Sequence, residues 1–324
     1  MNQNSRIYVA GHQGLVGSAL IKLLKEREFS NLITASFNEL DLRNQKLVND
    51  FFAKERPEYV FLAAAKVGGI KANNEFPADF IYDNLMIEAN VMHAAYQNGV
   101  KKLLFLGSSC IYPKLCSQPI KEEYLLTGPL EPTNAPYAIA KIAGISLAQS
   151  CARQYGSNFI CAMPTNLYGP GDTFDENNSH VIPALIKKIH EAHQQNKSLI
   201  SLWGTGNALR EFLYVDDCAD GLFMLMQQYN EPAPINLGSG QEISIKDVAI
   251  LIKEIVGYKG KINFDAQHPD GTPRKLLDCS KLNRLGWYAG TSLKLGLEKT
   301  YEWYLSINKK DAYEAPNKNI SMHI

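Results

Sequence analysis

Short, continuously apolar runs alternate along the first half of the chain with stretches whose apolar residues recur at helical spacing. Ile7-Tyr8-Val9-Ala10, Leu32-Ile33-Thr34, Tyr59-Val60-Phe61-Leu62-Ala63, Leu103-Leu104-Phe105-Leu106 and Phe159-Ile160-Cys161-Ala162-Met163 are apolar at successive positions. Strands read this way when helices cover both faces of a parallel sheet. Helices are expected from about Val16 to Lys25 and from Ile81 to Asn98, so the first half predicts an α/β fold with a doubly wound parallel sheet. Pro164 should end the fifth strand, because proline cannot donate to a ladder.

Beyond Pro164 the rhythm breaks. Asn166–Asp172 and Asp175–His180 carry loop chemistry, and a helix is expected from Val181 to about Gln194. Glu211–Val215 and Ile235–Gly238 look like returns to the main sheet, with Val215-Asp216-Asp217 capping a helix to about Gln228 between them. Ser244 is a plausible cap for a helix reaching Val256. A last helix is expected near Leu293–Leu305, and residues 309–324 read as a flexible tail.

The 324 residues carry zero formal net charge, so nothing global favours nucleic acid or an anionic membrane surface. Met1-Asn-Gln-Asn-Ser-Arg6 runs straight into a strand, and no apolar run approaches the roughly 20 residues needed to cross a bilayer. A soluble, cytoplasmic protein is the expectation. Six cysteines without a Cys-x-x-Cys pair should be free thiols, mostly small buried hydrophobes. No Cys/His set has metal spacing, so no metal is expected, and His190 with His193 reads as the exposed face of a helix.

The first strand ends in Gly11-His12-Gln13-Gly14-Leu15-Val16-Gly17. Glycines between a first strand and a first helix let backbone approach a pyrophosphate, and the helix N-terminus offers it free N–H groups. The sheet is therefore Rossmann-type and should bind a dinucleotide. No acidic residue at Ser36 or Phe37 is placed to grip a ribose 2′-hydroxyl, and no arginine receives a 2′-phosphate. The missing acid favours NADP. Asp41-Leu42 either flanks the adenine or caps a helix, and Ala63-Ala64-Ala65 leaves room for a cofactor or for tight packing.

Tyr137 and Lys141 stand one helical turn apart, downstream of Gly107-Ser108-Ser109-Cys110. Alone they are an ordinary helix pair. Behind a dinucleotide motif they become a proton donor and the cation that favours its ionised form, with Ser108 able to bond the same reacting oxygen. The thiol of Cys110 is something a plain dehydrogenase does not require.

These blocks, with Val67-Gly68-Gly69-Ile70, Ile111-Tyr112-Pro113, Pro164–Pro170, Asn178–Pro183 and Pro269–Lys275, make the chain resemble the extended short-chain dehydrogenase/reductases over about residues 5 to 307. Within them it is similar to the GDP-L-fucose synthase family. That resemblance implies conversion of GDP-4-keto-6-deoxy-D-mannose to GDP-L-fucose with NADPH, by epimerisation at C3 and C5 and reduction at C4. It implies Cys110 and His180 as the acid–base pair of the epimerisations. It implies Tyr137 as proton donor to the C4 oxygen, with Lys141 lowering its pKa and Ser108 orienting the ketone. Without the resemblance, Cys110 is a small buried hydrophobe and His180 a loop residue or helix cap.

Matching positions extend the cofactor site from the glycine loop to Phe37, Asn38, Glu39, Leu40, Asp41 and Leu42. They add Leu106, Gly107, Ser108, Ser109, Lys141, Pro164, Thr165, Asn166, Leu167 and His180. GDP-sugar contacts are implied for Lys188, Trp203, Arg210 and Asp270. The corresponding domains are residues 1–166 with about 211–240 for NADP, and about 167–210 with 241–308 for the GDP-sugar. A homodimer is expected through the two long helices near 81–98 and 138–155. Gln13 and Phe37 replace arginines that some family members carry for the 2′-phosphate; Ser36, Asn38 or a lysine from elsewhere could substitute. A dehydratase would want an acidic pair at Ser109-Cys110, a simple 4-epimerase needs neither Cys110 nor His180, and a non-catalytic nucleotide sensor needs neither Tyr137 nor Lys141.

Overall fold

The computed structural model describes residues 1–175, 179–267 and 271–314. The first half reads β1 (Ile7–Ala10), α1 (Leu15–Glu26), β2 (Leu32–Ile33), α2 (Gln45–Glu55), β3 (Tyr59–Leu62), α3 (Ile70–Glu75), α4 (Pro77–Gln97), β4 (Lys102–Leu106), α5 (Ala135–Tyr155) and β5 (Phe159–Pro164). The second half continues with β6 (Asn166–Tyr168), α6 (Val181–Gln194), β7 (Leu199–Trp203), β8 (Leu209–Tyr214), α7 (Val215–Gln228), β9 (Ile235–Leu237), β10 (Glu242–Ser244), α8 (Ile245–Val256), β11 (Lys261–Asp265), β12 (Arg274–Lys275), α9 (Ser280–Arg284) and α10 (Leu293–Glu314).

Six parallel strands form the main sheet in the order β2-β1-β3-β4-β5-β9. The order reverses between β1 and β3, and in open α/β sheets a ligand crevice forms outside the strand ends at such a point. Tyr8, Val60, Leu103, Phe105, Phe159 and Cys161 turn to one face, where Val48, Phe52, Val91 and Ile145 of the covering helices meet them. Ile7, Val9, Phe61, Leu104, Ile160 and Ala162 turn to the other, against Leu20 and Leu24 of α1 and Cys218 and Leu222 of α7. Burial of both strand faces explains the unbroken apolar runs.

A smaller lobe holds a second sheet in which β8 lies between β10 and β12 and also pairs with β6, plus the two-stranded β7–β11. Its core joins Ile182, Ile186 and Ile189 of α6 to Val248 and Ile252 of α8 and Leu297 of α10. The strand at 211–215, expected back in the main sheet, belongs here instead: Phe212, Leu213 and Tyr214 pair with Asn166, Leu167 and Tyr168. Only Ile235–Leu237 returns to the main sheet, at the edge beside β5. Pro164 closes β5 from within the strand, in register with Leu237.

Other expectations are corrected by local chemistry. Asn44, not Asp41, caps α2, its side chain accepting from Leu47 N–H at 3.2 Å. Asp216 and Asp217 sit in the first turn of α7 without capping it; they bind Lys22 and Thr291. His190 is 6% exposed, its Nδ1 2.9 Å from the Tyr301 hydroxyl, because its position on α6 faces α10; His193 stays exposed. Helix α10 continues to Glu314, so part of the expected tail is helical, and 315–324 lie outside the described residues. Ser244 does cap α8, accepting from Asp247 N–H at 3.0 Å. All six cysteines are free, four of them buried.

Glu211 ties the two sheets together. It is fully buried, and its carboxylate accepts from Gly240 N–H at 2.7 Å and Leu277 N–H at 3.0 Å. Burial pushes its pKa up, and the donated N–H groups pull back against that. Glu211→Ala would leave those two N–H groups without their acceptor. It is expected to cost roughly 2–4 kcal/mol, read as a lower denaturant midpoint.

Candidate active site

The crevice is built first by the loop after β1. Gly11 adopts φ +83°, and a Cβ there would fall 2.7 Å from Ala64 N at the end of β3. At Gly17 a Cβ would fall 2.0 Å from the Gly11 carbonyl oxygen, so helix and strand can meet this closely only through glycine. Gly14 occupies the N-cap of α1 with no side chain capping the helix. A Cβ there would meet nothing nearer than 3.5 Å, so the space beside the helix N-terminus is open. A pyrophosphate fits that cradle.

The adenosine end is formed after β2. Glu39 folds back so that its carboxylate accepts from Ser36 N–H and Oγ–H, both at 2.7 Å. Those bonds lower its pKa, the backbone one most. An acidic group therefore stands beside Ser36 after all, three residues later than the sequence pattern looks for it. Phe37 is 64% exposed, with the Arg43 guanidinium carbon 5.2 Å from its ring centroid. Arg43 also pairs with Asp41 at 2.9 Å and Asp83 at 3.1 Å. Leu40 and Leu42 are buried with Val48 and Phe52, supporting the loop from below; Asn38 is exposed.

The reacting end lies where β4 meets α5. Ser108 caps a short turn at Ser109–Ile111, its hydroxyl accepting from Cys110 N–H at 3.2 Å. The same hydroxyl bonds the hydroxyl of Tyr137. Solvent reaches part of the Tyr137 side chain, but protein surrounds its oxygen. Burial, then the charges of Cys110 and Glu88, push the phenol well above its ordinary range, against the pull of Ser108. Lys141 is buried and held elsewhere: its Nζ donates to the Leu106 carbonyl at 3.1 Å and pairs with Glu88 at 3.0 Å. It stands 5.9 Å from the Tyr137 ring centroid. Glu88, the partner of Lys141, is itself one of the charges that raise the Tyr137 phenol.

Sequence reading missed one residue that touches the chemistry. Lys275, on β12, points its Nζ at Cys110 Sγ across 3.5 Å. Strand β12 pairs beside β8, with Lys275 opposite Arg210, so a pairing between segments 65 residues apart in sequence makes the contact. A cavity of about 40 Å³ lies beside Cys110, lined by Tyr112, Lys114, Gln118, Glu131 and Lys275, among others. That is room for about one water.

His180 occupies the N-cap position of α6 without a side-chain cap; solvent reaches part of its side chain, while protein crowds the ring. Desolvation by the surrounding protein lowers its pKa below 6.5. A histidine so lowered stays neutral, able to accept a proton, further into acid than a free imidazole. With His180 as the base, the acid limb of carbon-bound proton exchange should lie on the acid side of a free imidazole, and His180→Ala should remove that limb from the pH–rate series; an unchanged limb in the variant would exclude it. Of the remaining positions, Lys188 is exposed on α6, Trp203 is 72% exposed at the end of β7, and Arg210 is half-buried on β8. Asp270 lies outside the described residues. Thr165 and Asn166 both donate to the Glu211 carbonyl, at 3.3 and 2.8 Å, and so hold the junction of the two sheets.

Three comparisons place the chain among known proteins. The sequence model of the NAD dependent epimerase/dehydratase family matches residues 7–238. The GDP-L-fucose synthase of Sinorhizobium fredii is 57% identical over 301 residues, 93% of this chain and 96% of that one. The GDP-L-fucose synthase of Escherichia coli is 54% identical over 309 residues, again 93% and 96%. Among solved structures, a GDP-L-fucose synthetase from Naegleria fowleri bound to NADP superposes with a TM-score of 0.89 at 32% identity, covering 95% of each chain.

Proposed function

The chain belongs to the NAD dependent epimerase/dehydratase family, and from that premise we propose that it converts GDP-4-keto-6-deoxy-D-mannose to GDP-L-fucose, epimerising C3 and C5 and then reducing C4 with NADPH. The observation that carries this reading is the Cys110 thiol, 3.5 Å from the Lys275 ammonium and near enough to Tyr137 for its charge to act on the phenol, beside a dinucleotide crevice. A reductase alone has no use for that thiol.

A C4 ketone acidifies the hydrogens on C3 and C5, and each inversion needs a base on one face and an acid on the other. Cys110 and His180 take those parts, a thiol and an imidazole that exchange protons near neutral pH. Lys275 holds the charge that Cys110 carries before it takes up the carbon-bound proton. Ser108 and Tyr137 hold the C4 oxygen, and Tyr137 delivers its proton there. NADPH, when bound, supplies hydride to C4. The Gly11–Gly17 loop and the N-terminus of α1 hold its pyrophosphate, with Phe37 and Arg43 at the adenosine end. Lys188, Trp203 and Arg210 of the smaller lobe serve the GDP-sugar, a cation pair suiting a diphosphate and an exposed indole suiting a base or sugar face.

The reading includes a homodimer through α4 and α5, along which Tyr82, Ile139 and Tyr155 are exposed. Purified protein should oxidise NADPH, in preference to NADH, when given GDP-4-keto-6-deoxy-D-mannose. Absence of turnover while the cofactor binds would refute the assignment. Lys275→Met should slow deuterium uptake at C3 and C5 by about tenfold or more, with Lys275→Arg restoring part of it; wild-type uptake in Lys275→Met would remove Lys275 from the chemistry.

A further inference from the structure

Behind the reacting groups lies a buried carboxylate that the chemistry above does not use. Glu88, on α4, is 1% exposed, and its Oε1 lies 3.0 Å from Lys141 Nζ. Among the described residues neither of its oxygens makes a further hydrogen bond. Desolvating two charges costs more than a surface pair would, so stability alone rarely explains such a pair. The surroundings are shaped for it. Gly144 stands inside α5 where a Cβ would fall 2.6 Å from Glu88 Oε2 and 2.6 Å from Phe105 Cζ. A glycine in a helix interior costs about 1 kcal/mol relative to alanine, and here it makes room for the carboxylate.

We propose that Glu88 is a positioning residue for the C4 reduction: it anchors Lys141 against the Leu106 carbonyl and, as the ammonium's buried counter-charge, keeps Tyr137 in its proton-donating form. The proposal rests on Tyr137 being the proton donor. An unopposed lysine beside a tyrosine favours phenolate, which suits a base that removes a proton during alcohol oxidation. Ketone reduction needs the opposite, a phenol that still holds its proton. The Lys141 ammonium donates to the Leu106 carbonyl and pairs with Glu88. The titratable groups facing this cluster are Tyr137 and Lys141 on α5, Cys110 on the turn after β4, Glu88 on α4 and Cys161 on β5. Burial and then Glu88 raise the Cys161 thiol to about 12. Among these, Lys141 alone brings positive charge.

The test begins with protein free of cofactor. Tyrosine ionisation is followed by ultraviolet absorbance for wild type and Glu88→Gln, each against its own Tyr137→Phe partner, with melting curves to confirm folding. The Tyr137 step should move down by about one pH unit or more in Glu88→Gln. The alkaline limb of NADPH oxidation with the keto-sugar should move down with it. Either quantity standing still in the folded variant overturns the proposal, and a lower melting temperature alone would mark a purely structural role. Should Glu88→Gln fail to fold, Glu88→Asp keeps the charge one methylene further away, and the same step should move down by a smaller amount; an unmoved step overturns the proposal equally. Failure to turn over the keto-sugar would refute the substrate assignment and leave the titration standing.

Discussion

Cys110→Ser should slow deuterium uptake at both C3 and C5 by about 10²–10⁴-fold, the usual weight of a positioned acid–base group. The substitution changes one atom. Serine keeps the shape at slightly smaller size, and the backbone bond from Cys110 N–H to Ser108, but its hydroxyl neither ionises nor accepts a carbon-bound proton near neutral pH. Lys275 would remain, facing a group that cannot use its charge. Uptake is read by mass spectrometry of the sugar nucleotide after incubation in deuterium oxide. Wild-type uptake in the variant would return Cys110 to the role of a half-buried small side chain.

Tyr137→Phe should separate the two halves of the reaction. NADPH oxidation is expected to fall by about 10²–10⁴-fold, because the C4 oxygen loses its proton donor. Uptake at C3 and C5 should fall much less, because the Cys110–Lys275 contact does not pass through the phenol and Ser108 still holds the C4 oxygen. The ring remains packed edge-on against Phe80, with centroids 6.4 Å apart, so the change is confined to the hydroxyl. Equal loss of both activities would contradict the division of labour.

The main sheet was legible because both faces of its strands are buried, and burial on both sides leaves an unbroken apolar run. Residues 211–214 carry the same apolar signature and misled for that reason. Strand β8 is buried in the smaller lobe, and sequence pattern does not say which sheet an apolar strand joins. His190 was misplaced because a histidine on a helix looks the same facing water or facing Tyr301 of α10.

At the site, the glycine loop and the spacing of Tyr137 and Lys141 are local signals, and the structure keeps them. Glu88, Lys275 and Arg43 were invisible for the opposite reason. Glu88 meets Lys141 across two packed helices, Lys275 meets Cys110 through a pairing of distant strands, and Arg43 reaches Phe37 only after the loop folds back. Nor does any spacing record that the Lys141 ammonium meets Glu88 and the Leu106 carbonyl.

A single incubation in deuterium oxide with NADPH and GDP-4-keto-6-deoxy-D-mannose tests whether one site epimerises and reduces. The product should carry carbon-bound deuterium at C3 and C5, with one NADPH consumed for each sugar nucleotide formed. NADPH consumed while C3 and C5 keep their protium would describe a plain C4 reductase, and would contradict the role given to Cys110 and His180.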